Sequence, residues 1–345
     1  MQPKADATPA ISIIVPIYNM QDYLAETLNS ILQQRFSDSL EIVLVDDCST
    51  DNSKQICEEF LRAHPNKIKL ICHEQNSGLS VARNTGLAAI TGTYFTFVDA
   101  DDLLPPNALQ SLYDAAIQYN ADIIKGNHQT FDEQNYRSAN TNINRTELVK
   151  GADILATFFA HKKTRGHTWG KLFRRATLGH IKNTPGVLMA QDSLYCAEMF
   201  ACANTLVLIT KNVYQYRLRS SSVTGRKFQT GSYLWWLYSI ENCGRFAATD
   251  AQKMHYKSLQ IRTLLQLVRE ARTLDANQLP AVISEVHARQ TAWQITGLCK
   301  LLKAKSNAET LIHFIKLKRT LRKLEQRLRQ HPSAPSNLSS NKGHC

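Results

Sequence analysis

Nowhere in this sequence do the roughly 18 consecutive apolar residues of a membrane-spanning helix occur, and residues 1–10 are polar, with no apolar signal core. Its eight cysteines (Cys48, Cys57, Cys72, Cys196, Cys202, Cys243, Cys299, Cys345) include no C-x-x-C pair and no zinc-like spacing, which excludes the common cysteine-based metal modules. Thiols scattered in this way suggest a reducing compartment, so the expected place is cytoplasmic or on a cytoplasmic membrane face. Phosphate-binding glycine loops are also missing. Neither G-x-G-x-x-G nor G-x-x-x-x-G-K-[ST] is present, which argues against a dinucleotide-binding fold and a P-loop enzyme. Acidic residues are scarce near the C-terminus, where only Glu309 and Glu325 oppose ten basic residues between Lys300 and Arg329. The formal net charge of +12 therefore belongs mostly to a C-terminal helix and says little about the N-terminal half. Aromatic residues for stacking are not interleaved with those cations, so no nucleic-acid partner is expected.

What the sequence does contain is organised around Thr93–Asp102, a β-branched and aromatic run that ends in three carboxylates within four residues (Asp99, Asp101, Asp102). The run suits a strand buried on both faces. Carboxylates packed this closely repel and are costly to desolvate, so a positive partner is expected. A hard divalent cation is the simplest, Mn²⁺ or Mg²⁺; a solvated turn capping the next helix is the alternative.

At 345 residues with 43% hydrophobic content, one large domain or two smaller ones fit. Strands are predicted at 11–16, 41–45, 68–72, 93–98 and 122–125, with helices near 21–34, 53–63, 79–89 and 106–119 between them. This β-α repeat of about 25 to 30 residues implies a mostly parallel sheet with helices on both faces, and ligands then bind beyond the carboxyl ends of the strands. Those ends carry Pro16–Asn19, Asp46-Asp47 and Asp99–Asp102. A polar loop over the site is expected at 131–145, a helix at 147–159, another opening at Gln191-Asp192, a strand and loop at 213–224, and helices only from 231 to 330. The last helix sets Phe314, Leu317, Leu321, Leu324 and Leu328 at 3-4-3-4 spacing, a narrow stripe for another helix or for an anionic bilayer. Residues 1–10 and 331–345 read as tails, the latter disordered.

Four stretches then occur in a telling order: Ile13–Asn19, Val45–Asp51, Asn76–Gly86 and Asp99–Asp102. In sequence and spacing they resemble the family 2 glycosyltransferases, inverting enzymes of the GT-A (Rossmann-like) fold, over about residues 11–225. The family pattern usually has Gly where this chain has Cys48. The resemblance implies a nucleotide-sugar-binding half at 11–127, an acceptor-side half at 128–228 and an appended helical region at 229–330. It implies that Pro16, Tyr18 and Asn19 line the nucleotide pocket, with Tyr18 near a uracil face. Asp47 accepts from the base beside Asp46, and Asn76, Gly78 and Arg83 border the diphosphate and the donor sugar. Asp99 and Ala100 face the donor, with Asp101, assisted by Asp99, on the metal. Trp169, Lys171 and Gln191 fall on the acceptor side, Trp169 as a sugar platform or else a core residue. Gln191 replaces the family's usual Glu, while Asp192 is kept as general base; an N-cap is the plainer role for it. For Arg83 the plainer role is a surface ion pair.

The expected activity is transfer of a hexose or N-acetylhexosamine from a nucleotide diphosphate sugar, UDP-linked for preference, to a glycan or lipid-linked glycan in cell-surface polysaccharide biosynthesis. A place on the cytoplasmic face of the inner membrane, through residues 308–330, goes with it. A sugar nucleotidyltransferase is the rival enzyme, though the turn at Pro16–Met20 lacks its Gly-rich basic loop. A non-catalytic nucleotide-sugar-binding membrane scaffold is the third alternative, and the acids at Asp99, Asp101 and Asp192 argue against it.

Overall fold

The structure, a computed structural model, describes residues 8–132, 136–138, 143–160, 164, 166–187, 190–219, 232–271, 278–292 and 308–330. Residues 133–135 and 139–142 of the loop expected at 131–145, the 220–224 part of the strand and loop, and the C-terminal tail lie outside these residues. The chain divides into two compact units, one of residues 1–226 with 238–256, the other of 227–237 with 257–345. Residues 238–256, assigned to the helical region on sequence grounds, thus group with the first unit.

The first unit is built on a nine-stranded sheet. β1 (Ile11–Ile17), β2 (Leu40–Asp46), β3 (Ile68–Cys72) and β4 (Tyr94–Phe97) alternate with α1 (Leu24–Leu32), α2 (Ser53–Ala63) and α3 (Leu79–Ala89). α4 (Ala108–Gln118) leads to β5 (Ile123–Phe131). Then follow β6 (Tyr136–Ser138), β7 (Glu147–Lys150), α5 (Asp153–Ala160), β8 (Lys171–Arg174), α6 (Arg175–Leu178), α7 (Gln191–Cys202) and β9 (Thr205–Arg217). The strand order is β3-β2-β1-β4-β8-β5-β9-β7, with β6 on the side of β5. β1 to β4 pair in parallel, and so do β5 and β9. β8 lies antiparallel between β4 and β5.

All seven residues of β1 are buried, as a strand covered on both faces requires. Each fully buried Ile, Val or Leu contributes about 1.5–3 kcal/mol. The one polar residue in β1, Ser12, joins a knot at the strand starts. Its hydroxyl donates to Glu41 at 2.5 Å and accepts from the Gly92 amide at 2.8 Å. Lys69 and Thr91 also donate to Glu41. α3 lies close on β1: a Cβ on Gly86 would meet Ile14 Cγ2 at 2.4 Å.

Three expectations change here. The helix expected over 147–159 begins as β7, whose alternating exposure marks an edge strand, and becomes helical only at Asp153. The stretch around Lys171 is a central strand of the sheet, with Phe173 stacked on Phe95 at 5.3 Å. The short strand expected at 122–125 continues to Phe131 because β9 pairs along its length.

The second unit contains helical residues. α8 (Ser232–Cys243) and α9 (Asp250–Glu270), separated by a 3₁₀ turn at Gly244–Phe246, run across the boundary, while α10 (Leu279–Ala292) and α11 (Ala308–Gln330) belong to it entirely. α11 packs on α10 with Leu317, Leu321 and Leu324 buried, and His287 meets Glu325 at 2.9 Å. No helix among the described residues is long and apolar enough to cross a membrane.

Candidate active site

Parallel pairing sets the site. Ile17 pairs with Asp46, and Asp46 with Cys72, so β1, β2 and β3 finish level. The Asp47 amide donates to Ile17 O at 2.8 Å and the Val98 amide to Ile14 O at 3.0 Å. This brings Pro16–Asn19, Asp46-Asp47 and the acids after β4 to one edge. Pro16 is buried in β1, while Tyr18 is 43% exposed. Asn19 adopts a left-handed backbone (φ 53°), and its side-chain oxygen accepts from the Thr50 amide at 2.8 Å, tying the first turn to the second. Cys48 also lies in the left-handed region, at φ 61°, which costs a non-glycine residue about 1–2 kcal/mol. That is the physical reason for the glycine usual there.

Asp46 and Asp47 are both buried, with different surroundings. Asp46 Oδ2 accepts from the Ser49 amide at 3.3 Å, and its enclosed Oδ1 has no hydrogen-bond partner among the described residues. Asp47 organises the following loop. Its Oδ1 accepts from His73 Nδ1 at 2.6 Å and from the Ser77 amide at 2.9 Å, and its Oδ2 from the Gly78 amide at 2.7 Å. A carboxylate has about four acceptor positions, so Asp47 retains one, on Oδ2. Gly78 takes φ 88°, a conformation that glycine adopts without steric cost; Asn76 beside it is exposed.

Arg83 is the centre of the site. It is 1% exposed, so it is no surface ion pair. Nη1 donates to Asp192 Oδ1 at 2.5 Å and Nη2 to Asp99 Oδ1 at 3.2 Å. One guanidinium on α3 thus holds an acid after β4 and an acid in the first turn of α7. Burial works to raise the Asp192 pKa, but the charge and hydrogen bond of Arg83, with help from His167 and the Thr168 amide, hold it below the usual carboxylate value. Ala190 is the N-cap of this helix, so the N-cap role does not fall to Asp192; its Oδ2 accepts from the Thr168 amide and hydroxyl, at 3.3 and 3.4 Å. Gln191, half-buried, is the first residue of the same helix.

Asp99 differs from Asp192. Burial, opposed by Arg83 but reinforced by Asp192 and Asp101, pushes it up to about 6. Asp101 forms an ion pair with Arg219, whose guanidinium lies 4.7 Å over the Tyr23 ring. Asp102 is fully buried and accepts from the Tyr214 hydroxyl and the Arg217 amide, both at 2.7 Å. Desolvation, then Asp99 and Asp101, raises its pKa well above the usual value. Tyr214 in turn accepts from the Asp99 amide at 3.1 Å. Ala100 is buried, its carbonyl taken by Thr27 at 3.0 Å.

Among the described residues, no group of three or more His, Cys, Asp or Glu side chains is placed to hold a metal ion. Mg²⁺ needs fewer, since one or two carboxylates complete its shell with water and substrate phosphates. Asp101, already facing a cation in Arg219, fits such an ion with Asp99 near it.

The acceptor-side expectations for Trp169 and Lys171 give way. Trp169 is 4% exposed and stacked against His167, Tyr214 and Tyr216, at 4.4, 4.5 and 5.4 Å, so it is a core residue rather than a sugar platform. Lys171 is fully buried in β8, its ammonium donating to the His167 carbonyl, and burial lowers its pKa. Sequence reasoning did not single out His73 as site-forming, since no local pattern marks it.

An α/β sheet with acids at its carboxyl edge and a second carboxylate brought opposite by α7 defines a GT-A-type fold. Residues 12–181 match the family described as Glycosyl transferase family 2. The chain is 31% identical over 226 residues to Glycosyltransferase GlyA of Streptococcus pneumoniae serotype 4, covering 62% of this chain and 31% of that protein. It is 30% identical over 232 residues to Glycosyltransferase GlyG of the same organism, covering 63% of this chain and 74% of that one. Among solved structures, S. aureus TarS (residues 1–349) in complex with UDP-GlcNAc matches with a TM-score of 0.64 at 21% identity, over 93% of this chain and 91% of that chain. The chain belongs to glycosyl transferase family 2.

Proposed function

We propose that this chain transfers a sugar, a hexose or N-acetylhexosamine, from a nucleotide diphosphate sugar to a hydroxyl of a glycan or lipid-linked glycan, in cell-surface polysaccharide biosynthesis. The observation that carries the reading is the buried Arg83, which pairs with both Asp99, read as the donor side, and Asp192, read as the acceptor side. UDP is the favoured nucleotide, by analogy with the UDP-GlcNAc complex of TarS.

In this reading the nucleotide lies over Pro16–Asn19 with Tyr18 beside the base, and the open position on Asp47 Oδ2 accepts from it. Asn76 and Gly78 border the diphosphate, and Asp99 and Ala100 face the sugar. Asp101, with Asp99, holds Mn²⁺ or Mg²⁺; the ion, when bound, neutralises charge on the departing diphosphate. Asp192 Oδ2 takes the proton from the acceptor hydroxyl as its oxygen bonds to the anomeric carbon and the bond to the diphosphate breaks, inverting that centre. Arg83 keeps Asp192 ionised, ready to accept that proton.

Asp192→Asn is nearly isosteric and cannot act as a base. It should lower transfer by about 10²- to 10⁴-fold while leaving UDP affinity within about threefold, read by a coupled UDP-release assay and by calorimetry. Full transfer by this variant would sink the assignment, and pyrophosphate release from a nucleoside triphosphate would favour a nucleotidyltransferase instead. A peripheral place on the cytoplasmic face of the membrane is part of the same proposal, through the cationic face of α11.

A further inference from the structure

Asp47, His73 and Thr85 form a relay that crosses three elements. Asp47 follows β2, His73 follows β3, and Thr85 lies in α3. His73 Nδ1 is 2.6 Å from Asp47 Oδ1 and its Nε2 is 2.9 Å from Thr85 Oγ1. Both Asp47 oxygens already accept backbone amides, from Ser77 and Gly78, so Nδ1 carries the hydrogen and donates. Nε2 is left to pair with the Thr85 hydroxyl, which can either donate or accept. The His73 backbone is fixed as well, its amide donating to Asp46 O at 2.9 Å. The imidazole is therefore held at both nitrogens and at its own main chain, and it can turn in neither direction without losing a bond.

We infer that His73 is a positioning residue for nucleotide recognition: it fixes the rotation of the Asp47 carboxylate so that Oδ2 presents its one free acceptor position to the base. The inference rests on the proposed donor site. Without Nδ1–H, Oδ1 keeps only the Ser77 amide, and the carboxylate can rotate toward water. The same histidine links that carboxylate to α3, the helix carrying Arg83, so the base end and the sugar end of the site share one rigid connection. A staple of purely structural value would need only some hydrogen bond at this position. A positioning role needs the donor at Nδ1 in particular.

Asparagine places its amide nitrogen where imidazole has Nδ1, whereas glutamine reaches to Nε2, so the two substitutions separate these roles. The experiment is UDP binding by calorimetry with Mn²⁺ present, alongside thermal melting, on the full chain. His73→Gln and His73→Leu are expected to weaken UDP by about tenfold or more, the size of a lost hydrogen bond to a charged group, and His73→Asn by about threefold at most. Thr85→Val, which removes only the outer link, should match His73→Asn. Equal losses for Asn and Gln, or losses that follow melting temperature alone, would overturn the inference and leave the donor site intact. If the wild-type chain binds no UDP, the inference falls together with the donor assignment.

Discussion

At the residue scale, one arginine sets two carboxylates at different proton affinities. Arg83 approaches Asp192 at 2.5 Å and Asp99 at 3.2 Å, and the closer acid is held low while the farther one, raised first by desolvation and then by Asp192 and Asp101, reaches about 6. The two acids therefore part company as pH falls. Asp192, held below its ordinary value, stays ionised through the range in which Asp99 takes up its proton, and the stability it contributes is lost only as pH falls through that lowered pKa. Asp99 takes up a proton near pH 6, where its oxygen no longer suits a hard cation or its arginine. Metal-dependent donor binding should accordingly weaken across pH 7 to 5, by about tenfold per pH unit once below 6. Calorimetric titration of UDP with Mn²⁺ at several pH values checks this; a loss centred near pH 4 would assign the limb to another group. The acids after β4 were legible in the sequence, because carboxylates crowded at the end of an apolar strand repel one another and call for a positive partner. Their shared partner was not: Arg83 and Asp192 are 109 positions apart, and no local pattern announces which cation will meet which acid.

At the scale of elements, the site depends on how closely α3 lies on the sheet. Sequence patterns identified α3 because its apolar and small residues recur at helical spacing, and β1, β2 and β4 because their β-branched runs are buried on both faces. β8 was not read as a sheet strand. It is four residues long, runs against its neighbours, and follows the stacked Trp169, so its sequence carries no strand periodicity of useful length. Its insertion accounts for the burial of Lys171, which looked like a polar contact residue. Gly86 makes the close packing of α3 measurable. A methyl group there would enter Ile14 Cγ2 at 2.4 Å, and Ile14 lies in a central strand that cannot yield freely. Gly86→Ala should destabilise the protein by about 1–3 kcal/mol through overpacking, despite alanine's better helix propensity. Because α3 carries Arg83, transfer should fall more than UDP affinity does. Urea unfolding with parallel kinetics tests the coupling, and a variant as stable and as active as wild type would show that α3 has room to move.

At the scale of the whole molecule, the basic helix has two distinct faces. The stripe that sequence periodicity offered to a partner or a bilayer includes Leu317, Leu321 and Leu324, and these are buried in the unit that holds α10. The helix partner is thus within the chain. The side chains of Phe314 and Leu328 lie outside the described residues. The charge remains on the other face, where Lys316, Lys318, Arg319, Arg322 and Lys323 are exposed together with Ile312 and Ile315. Glu325, one of the two acids of this helix, is paired with His287. Such a face suits an anionic lipid surface, where each near-surface cation contributes about 1 kcal/mol and two isoleucines add a shallow apolar contact. Vesicles with roughly 30% anionic lipid should sediment the protein at about 0.1 M salt and release most of it at about 0.5 M, whereas neutral vesicles should not. Reversing Arg319, Arg322 and Lys323 to Glu should abolish sedimentation without shifting UDP affinity, since these residues belong to a different unit from the sugar-nucleotide site. Replacing Ile312 and Ile315 with Ser should remove the salt-resistant remainder. If the charge-reversed protein still sediments, the membrane contact lies elsewhere on the chain; if wild type never does, the acceptor must reach the site from solution.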